Sequence, residues 1–198
     1  MDNTFTLSYQ IGDALYLNIT NRCSNRCAFC IRDTEDGVGY HLWLDKEPTA
    51  AEILNSIGNP AQYREIVFCG YGEPLSRLDV VKEVAAVLKE RGVQSIRVNT
   101  NGQANQFYGR NVIPDLAGLV DVISISLNAQ NAVSYVELCH PQKGEEAYYA
   151  MLDFARKCVG VIPKVILSIV EWPGVDVEAC QAIARNLGAE FRVRKYTG

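Results

Sequence analysis

The chain has 198 residues, of which 48% are hydrophobic and 21% charged, with a formal net charge of −4. That mix excludes a disordered tail, a collagen-like repeat and a heptad rod. The negative balance argues against a broad nucleic-acid footprint and leaves room only for a local basic patch.

Strand-like and helix-like segments alternate along the chain. Ala14 to Thr20 reads as a strand from its apolar and β-branched content, and a cysteine-rich loop follows it. Thr49 to Gly58 reads as a helix, with Pro48 before it, Thr49 as cap and Glu52 three residues on. Glu65 to Cys69 is a second strand, and Asp79 to Arg91 a helix that stops at Gly92. Gln94 to Val98 is a third strand, ending in the turn Asn99-Thr100-Asn101-Gly102. Val112 to Leu119 is a short helix and Val120 to Leu127 a fourth strand. Gly144 to Cys158 is a helix, Lys164 to Val170 a fifth strand, Val175 to Leu187 a helix, and Glu190 to Tyr196 a sixth strand.

This alternation predicts an α/β fold with a parallel sheet and right-handed crossovers. Six units are too few for a closed eight-stranded barrel. They leave an open, incomplete barrel or a doubly wound sheet, read as a single domain over residues 1–198. No apolar run approaches the roughly 20 residues that cross a bilayer. The first ten residues carry no secretory leader, so no membrane contact and a cytoplasmic address are expected.

Chemistry-bearing residues cluster after the strands, where parallel α/β folds place their active rim. Three of the seven cysteines, Cys23, Cys27 and Cys30, fall within eight residues at the spacing C-x3-C-x2-C. Three thiolates on one loop suit a metal centre with an open position. Zinc with a distant fourth ligand and three buried thiols are the other readings. Cys69, Cys158 and Cys180 read as small hydrophobes, and His140 as a loop-packing residue.

The cysteine motif, with Phe29 before its last member, resembles the signature of the radical S-adenosylmethionine (SAM) superfamily. Gly70-Tyr71-Gly72-Glu73-Pro74 resembles that family's Gly-Gly-Glu segment, with Tyr71 in place of the first glycine. Asn99-Thr100-Asn101-Gly102 resembles its turn after the third strand. Among short chains the likeness is to the TatD-associated members. The resemblance implies an incomplete (β/α)6 partial TIM barrel, a [4Fe–4S] cluster and S-adenosylmethionine as cofactors. It implies reductive cleavage of the sulfonium to a 5′-deoxyadenosyl radical that abstracts hydrogen from a substrate. Glycyl-radical activation and small-heterocycle synthesis are the alternatives within that class; a non-catalytic iron–sulfur or zinc scaffold is the alternative outside it.

By the same resemblance, Cys23, Cys27 and Cys30 ligate the cluster and Phe29 lies near the adenine. Gly72 and Glu73 hold the methionine amino group. Ser126 and Asn128, two apart and expected on one face of the fourth strand, meet the ribose and carboxylate. Asn99 and Asn101 contact cofactor or substrate, Val170 passes the adenine by backbone, and Arg194 offers a cation on the inner face. Arg22, Arg26 and Arg32 bracket the cluster with roles left open between tuning, substrate binding and solvation. Implied partners are a low-potential electron donor of flavodoxin or ferredoxin type and a TatD-family hydrolase or macromolecular substrate. Asp33 to Lys46, with Tyr40, His41 and Trp43, is expected to carry substrate specificity. With no second cysteine-rich segment, no auxiliary cluster is expected.

Overall fold

A computed structural model describes residues 6–34 and 37–196. Its strands are β1 (Ser8–Ile11), β2 (Ala14–Asn18), β3 (Glu65–Cys69), β4 (Ile96–Thr100), β5 (Val122–Ser126), β6 (Lys164–Val170) and β7 (Glu190–Arg194). They form one seven-stranded sheet in the order β1 to β7. β1 pairs antiparallel with β2, and every later pair is parallel. The helices are α1 (Ala50–Ile57), α2 (Leu78–Glu90), α3 (Ala104–Tyr108), α4 (Ile113–Leu116), α5 (Ala132–Cys139), α6 (Glu145–Cys158) and α7 (Val177–Leu187). Six parallel strands with helical crossovers form the expected incomplete barrel, with β1 and β7 as its edges.

β1 is not among the expected strands. Ile11 pairs with Ala14 across Gly12-Asp13, and Gly12 has a φ of 61°. A two-residue Gly-Asp loop between alternating runs is a hairpin signal that the sequence does contain. The third strand is displaced by two residues, so Asn99 and Thr100 belong to the strand, not to the turn. They pair with Ser124 and Ile125; Asn99 falls on the polar inner face, and Thr100, on the helical face, is satisfied by donating to Glu73 Oε1. The short helices α3 and α5 fill connections to which the sequence reading assigned no element.

Alternation divides the strands cleanly. Leu15, Leu17, Ile66, Phe68, Ile96, Val98, Ile123, Ile125, Leu167 and Ile169 point to the helices and form the core with Val81, Val84, Leu88, Met151 and Phe154. The opposite residues, Tyr16, Val67, Cys69, Arg97, Asn99, Ser124, Ser126, Ser168 and Arg194, line the inner face, called the lumen below. A buried ion pair, Arg97 to Glu65 at 3.0 Å, with Arg97 also donating to the Tyr16 hydroxyl, closes its lower end.

The α1 cap forms as the sequence predicts. The Glu52 N–H donates to Thr49 Oγ1 at 3.2 Å, and the Glu52 carboxylate accepts from the Thr49 N–H at 2.8 Å. Thr49→Ala removes this reciprocal pair and is expected to cost about 1 kcal/mol, read as a lowered urea midpoint with an unchanged denaturant slope.

Candidate functional site

The cysteine loop leaves the end of β2 and is fastened on three sides. Asn21 donates to the Leu44 carbonyl and accepts from the Leu44 N–H, at 2.8 and 3.1 Å. The Glu73 N–H donates to the Arg22 carbonyl at 2.7 Å. The Arg26 and Ala28 N–H groups donate to the carbonyls of Cys139 and Leu138, and the Gln142 N–H donates to the Ser24 carbonyl. A polar network fixes the turn from beneath. Gln103 Nε2 donates to Asn25 Oδ1 at 2.8 Å and to the Tyr135 hydroxyl at 3.0 Å, Ser24 Oγ donates to Gln103 Oε1, and Asn101 Nδ2 donates to Ser24 Oγ at 2.8 Å. Gln103 and Tyr135 are functional supports not anticipated from sequence. Gln103 sits one residue past the Asn-Thr-Asn-Gly turn, which is the only local hint of its role.

Cys23, Cys27 and Cys30 are all free thiols on this loop. Burial pushes the Cys23 thiol up to about 12, and the Glu73 carboxylate adds to the shift. The neighbouring Cys139 thiol, then burial, push Cys27 up, and burial pushes Cys30 up. Arg32 opposes the rise at all three. The Asn25 N–H donates to Cys23 Sγ at 3.4 Å, and Asn101 Nδ2 lies 3.9 Å from the same sulfur.

These donors fit an anionic iron–sulfur group. Among the described residues no three His, Cys, Asp or Glu side chains converge as a single ion would need. A cubane places each thiolate on its own iron.

The other expected residues gather around this loop. Gly72 is required by packing: a Cβ there would meet the Thr20 carbonyl and sit 2.7 Å from the Arg22 carbonyl. The Glu73 carboxylate is held by three protein donors. Its Oε1 accepts from the Leu75 N–H at 3.0 Å and from Thr100 Oγ1 at 2.7 Å, and its Oε2 accepts from the Asn101 N–H at 2.6 Å. Burial pushes its pKa up, and those three hydrogen bonds pull the other way. Glu73→Gln turns an amide donor toward a buried N–H and is expected to cost about 2 kcal/mol, measured by chemical denaturation.

Asn128 lies past the end of β5 with a φ of 57°, so strand alternation does not relate it to Ser126. The two are brought together instead by Arg194, which donates to Ser126 Oγ and Asn128 Oδ1 at 3.5 and 3.4 Å. Solvent reaches Arg194, yet the lumen walls surround it, and that desolvation lowers its pKa. Phe29 meets Trp172 edge-on at 5.5 Å, which joins the cysteine loop to the segment after Val170. Asn99 faces the lumen, donates to Cys69 Sγ at 3.4 Å, and has a buried Oδ1 with no partner. Cys69 is therefore a lumen thiol and not a core hydrophobe, whereas Cys158 and Cys180 are fully buried. His140 ends α5 in a left-handed conformation.

Arg22 is engaged by Glu47 at 2.7 Å. Arg32 donates to the Asn25 carbonyl at 3.2 Å. Trp43 meets Tyr71 edge-on at 5.1 Å beside a cavity that Tyr40 and His41 also line. Residues 35 and 36 of the expected specificity segment lie outside the described residues.

Comparison with known proteins bears on the family and the fold. The model of the radical SAM superfamily matches residues 17–187. The chain is 30% identical to molybdenum cofactor biosynthesis protein 1 of Dictyostelium discoideum, over 92% of its own length and 28% of that protein's. It is 29% identical to the GTP 3′,8-cyclase of Acidothermus cellulolyticus, over 92% of this chain and 50% of the relative. The chain thus spans half or less of these relatives' lengths. A radical SAM methyltransferase from Sphaerobacter thermophilus shares the fold, with a TM-score of 0.62 at 19% identity, over 96% of this chain and 69% of that one. A C-x3-C-x2-C loop on the first parallel strand of an unclosed barrel, matched by the family model along most of its length, places the chain in the radical SAM superfamily.

Proposed function

We propose that this chain binds a [4Fe–4S] cluster through Cys23, Cys27 and Cys30 and uses it on S-adenosylmethionine. The observation that carries this reading is the set of three free, half-buried thiols on one loop, fastened beside a polar lumen. When bound, these cofactors supply an electron that breaks the sulfonium C–S bond and yields methionine and a 5′-deoxyadenosyl radical for hydrogen abstraction.

The chain's own residues position and enclose. The fastened loop presents three sulfurs at one rim. Arg32 and the N–H donors at Cys23 favour negative charge on them. The carbonyls of the Gly72 segment are acceptors for an ammonium group. Arg194, backed by Ser126 and Asn128, is a cation for a carboxylate in the lumen. Phe29 and Trp172 form an apolar wall suited to a purine face.

We place the substrate among large molecules, a protein, peptide or nucleic acid, or a smaller one enclosed by a partner. The open sheet between β1 and β7 supports that reading, since it leaves the lumen wide. Membership of the TatD-associated group, a hydrolase partner and a cytoplasmic address are part of the same proposal. No helix among the described residues is long and apolar enough to cross a membrane.

The test is anaerobic reconstitution with iron and sulfide, then addition of S-adenosylmethionine and dithionite. Formation of 5′-deoxyadenosine, quantified by mass spectrometry, is the expected result. A fully loaded cluster with bound S-adenosylmethionine and no product would favour the non-catalytic scaffold.

A further inference from the structure

A fourth thiol stands against the cysteine loop. Cys139 is the last residue of α5, is fully buried, and adjoins Cys27. Backbone hydrogen bonds fix that neighbourhood on both sides of Cys27. The Arg26 N–H donates to the Cys139 carbonyl at 2.9 Å, and the Ala28 N–H donates to the Leu138 carbonyl at 2.8 Å. Chains bonded in this way run about 5 Å apart, which is within the Cα separations that a disulfide spans. Asn128 Nδ2 donates to Cys139 Sγ at 3.6 Å and anchors the sulfur. The contact with Cys139 outweighs burial in pushing the Cys27 thiol up.

The cluster reading gives Cys139 no part, because it lies outside the C-x3-C-x2-C motif. Cys158 and Cys180 show the contrast of an uninvolved thiol. Both are fully buried, and burial is the main cause that raises them, with no second thiol acting on either.

We propose that Cys27 and Cys139 form a reversible disulfide in the cluster-free chain, made by exchange with a small disulfide of the glutathione type, and that this bond bars cluster loading until it is reduced. The consequence for loading rests on the cluster reading above; the bond itself does not. Cys27 is half-buried and Cys139 is enclosed, so exchange begins at Cys27. Cys27 attacks glutathione disulfide, bonds to one glutathione and releases the other as a thiol. Cys139 then attacks the Cys27 sulfur of that mixed disulfide and releases the second glutathione as a thiol. Two protein thiols are oxidised, one glutathione disulfide is reduced, and the two thiol protons pass to the departing glutathione sulfurs. Two of the three cluster thiolates are left, which is too few for the cubane. The bond also closes a loop of roughly 100 residues and so constrains the unfolded chain.

The test uses the full chain, purified free of cluster, reduced, and then treated with glutathione disulfide without oxygen. A mass lower by two hydrogens is expected, with Cys27 and Cys139 joined in the peptide map. On reconstitution the oxidised chain should take up less than about a tenth of the iron that the reduced chain takes. Dithiothreitol should restore the uptake. Without cluster, the Tm of the oxidised chain should exceed that of the reduced chain by about 10 °C. Cys139→Ala and Cys139→Ser should lack the bond and keep glutathione on Cys27, whereas Cys158→Ala should form it as wild type does. The wild-type map decides the bond whether or not the Cys139 variants fold. The proposal is overturned if the loop cysteines join only one another, if glutathione stays on Cys27 of the wild type, or if the joined chain loads a full cluster. Failure of the cluster reading shows separately: the reduced chain takes up no iron, while the Cys27 to Cys139 bond still forms.

Discussion

Replacing Cys23, Cys27 or Cys30 singly by alanine is expected to take bound iron from about four per chain to near zero and 5′-deoxyadenosine to background. The physical reason is the ligand count. With three protein thiolates for a four-iron cubane, no spare ligand stands ready when one is lost. Cys139 is the nearest substitute, as it adjoins Cys27, but it is fully buried at the end of α5. Cys158→Ala and Cys180→Ala serve as controls, because both thiols are buried within the helical layer. Each control should keep its iron and lose only a modest increment of stability. Retention of iron and product by any of the three loop variants would refute the assignment.

Gly72→Ala is expected to damage the protein more than its single methyl implies. The new Cβ would press on the Thr20 carbonyl, lie 2.7 Å from the Arg22 carbonyl and 2.8 Å from Thr20 Cγ2. Two of these neighbours are backbone carbonyls, and that of Arg22 is held by the Glu73 N–H, so they cannot swing aside as a flexible side chain would. A cost of about 3 kcal/mol follows from overpacking against a rigid wall. For a chain of this size that is a fall of roughly 6–12 °C in Tm. Cluster loading should fall with it, because the displaced backbone is that of the cysteine loop. Gly118→Ala is the comparison: its φ is also positive, but open space surrounds it, so it should strain the local turn and leave iron content unchanged. Equal iron content in Gly72→Ala and wild type would show that the loop tolerates the shift.

The parts of the fold that were legible share a physical cause: their signals are local. The α1 cap, the apolar strands and the glycine that stops α7 each depend on residues a few positions apart. The cysteine spacing was legible for the same reason. β1 had a local signal too, in Gly12-Asp13, but its strand is only four residues long. What could not be read was long-range. The partners of the Glu73 carboxylate, Thr100 and Asn101, lie more than twenty-five residues away. Gln103 and Tyr135 support Asn25 across 78 and 110 residues of chain, and only the turn just before Gln103 hints at either. Ser126 and Asn128 were paired for the wrong reason. A cation from β7 brings them together, not the pleat of β5.

That long-range fastening also sets a clock. The cysteine loop lies near the start of the chain, but the groups that hold it, Gln103, Tyr135, Leu138, Cys139 and Gln142, come from far downstream. A nascent chain emerges from the ribosome with its three thiols exposed long before their supports have been made. Parallel pairing of distant strands is slow to form even once the chain is complete. The motif therefore passes through a period as three accessible, unconstrained cysteines, open to oxidation or to stray metal. Delivery of iron and sulfide is best matched to a chain that has already closed its loop, after synthesis has passed residue 142.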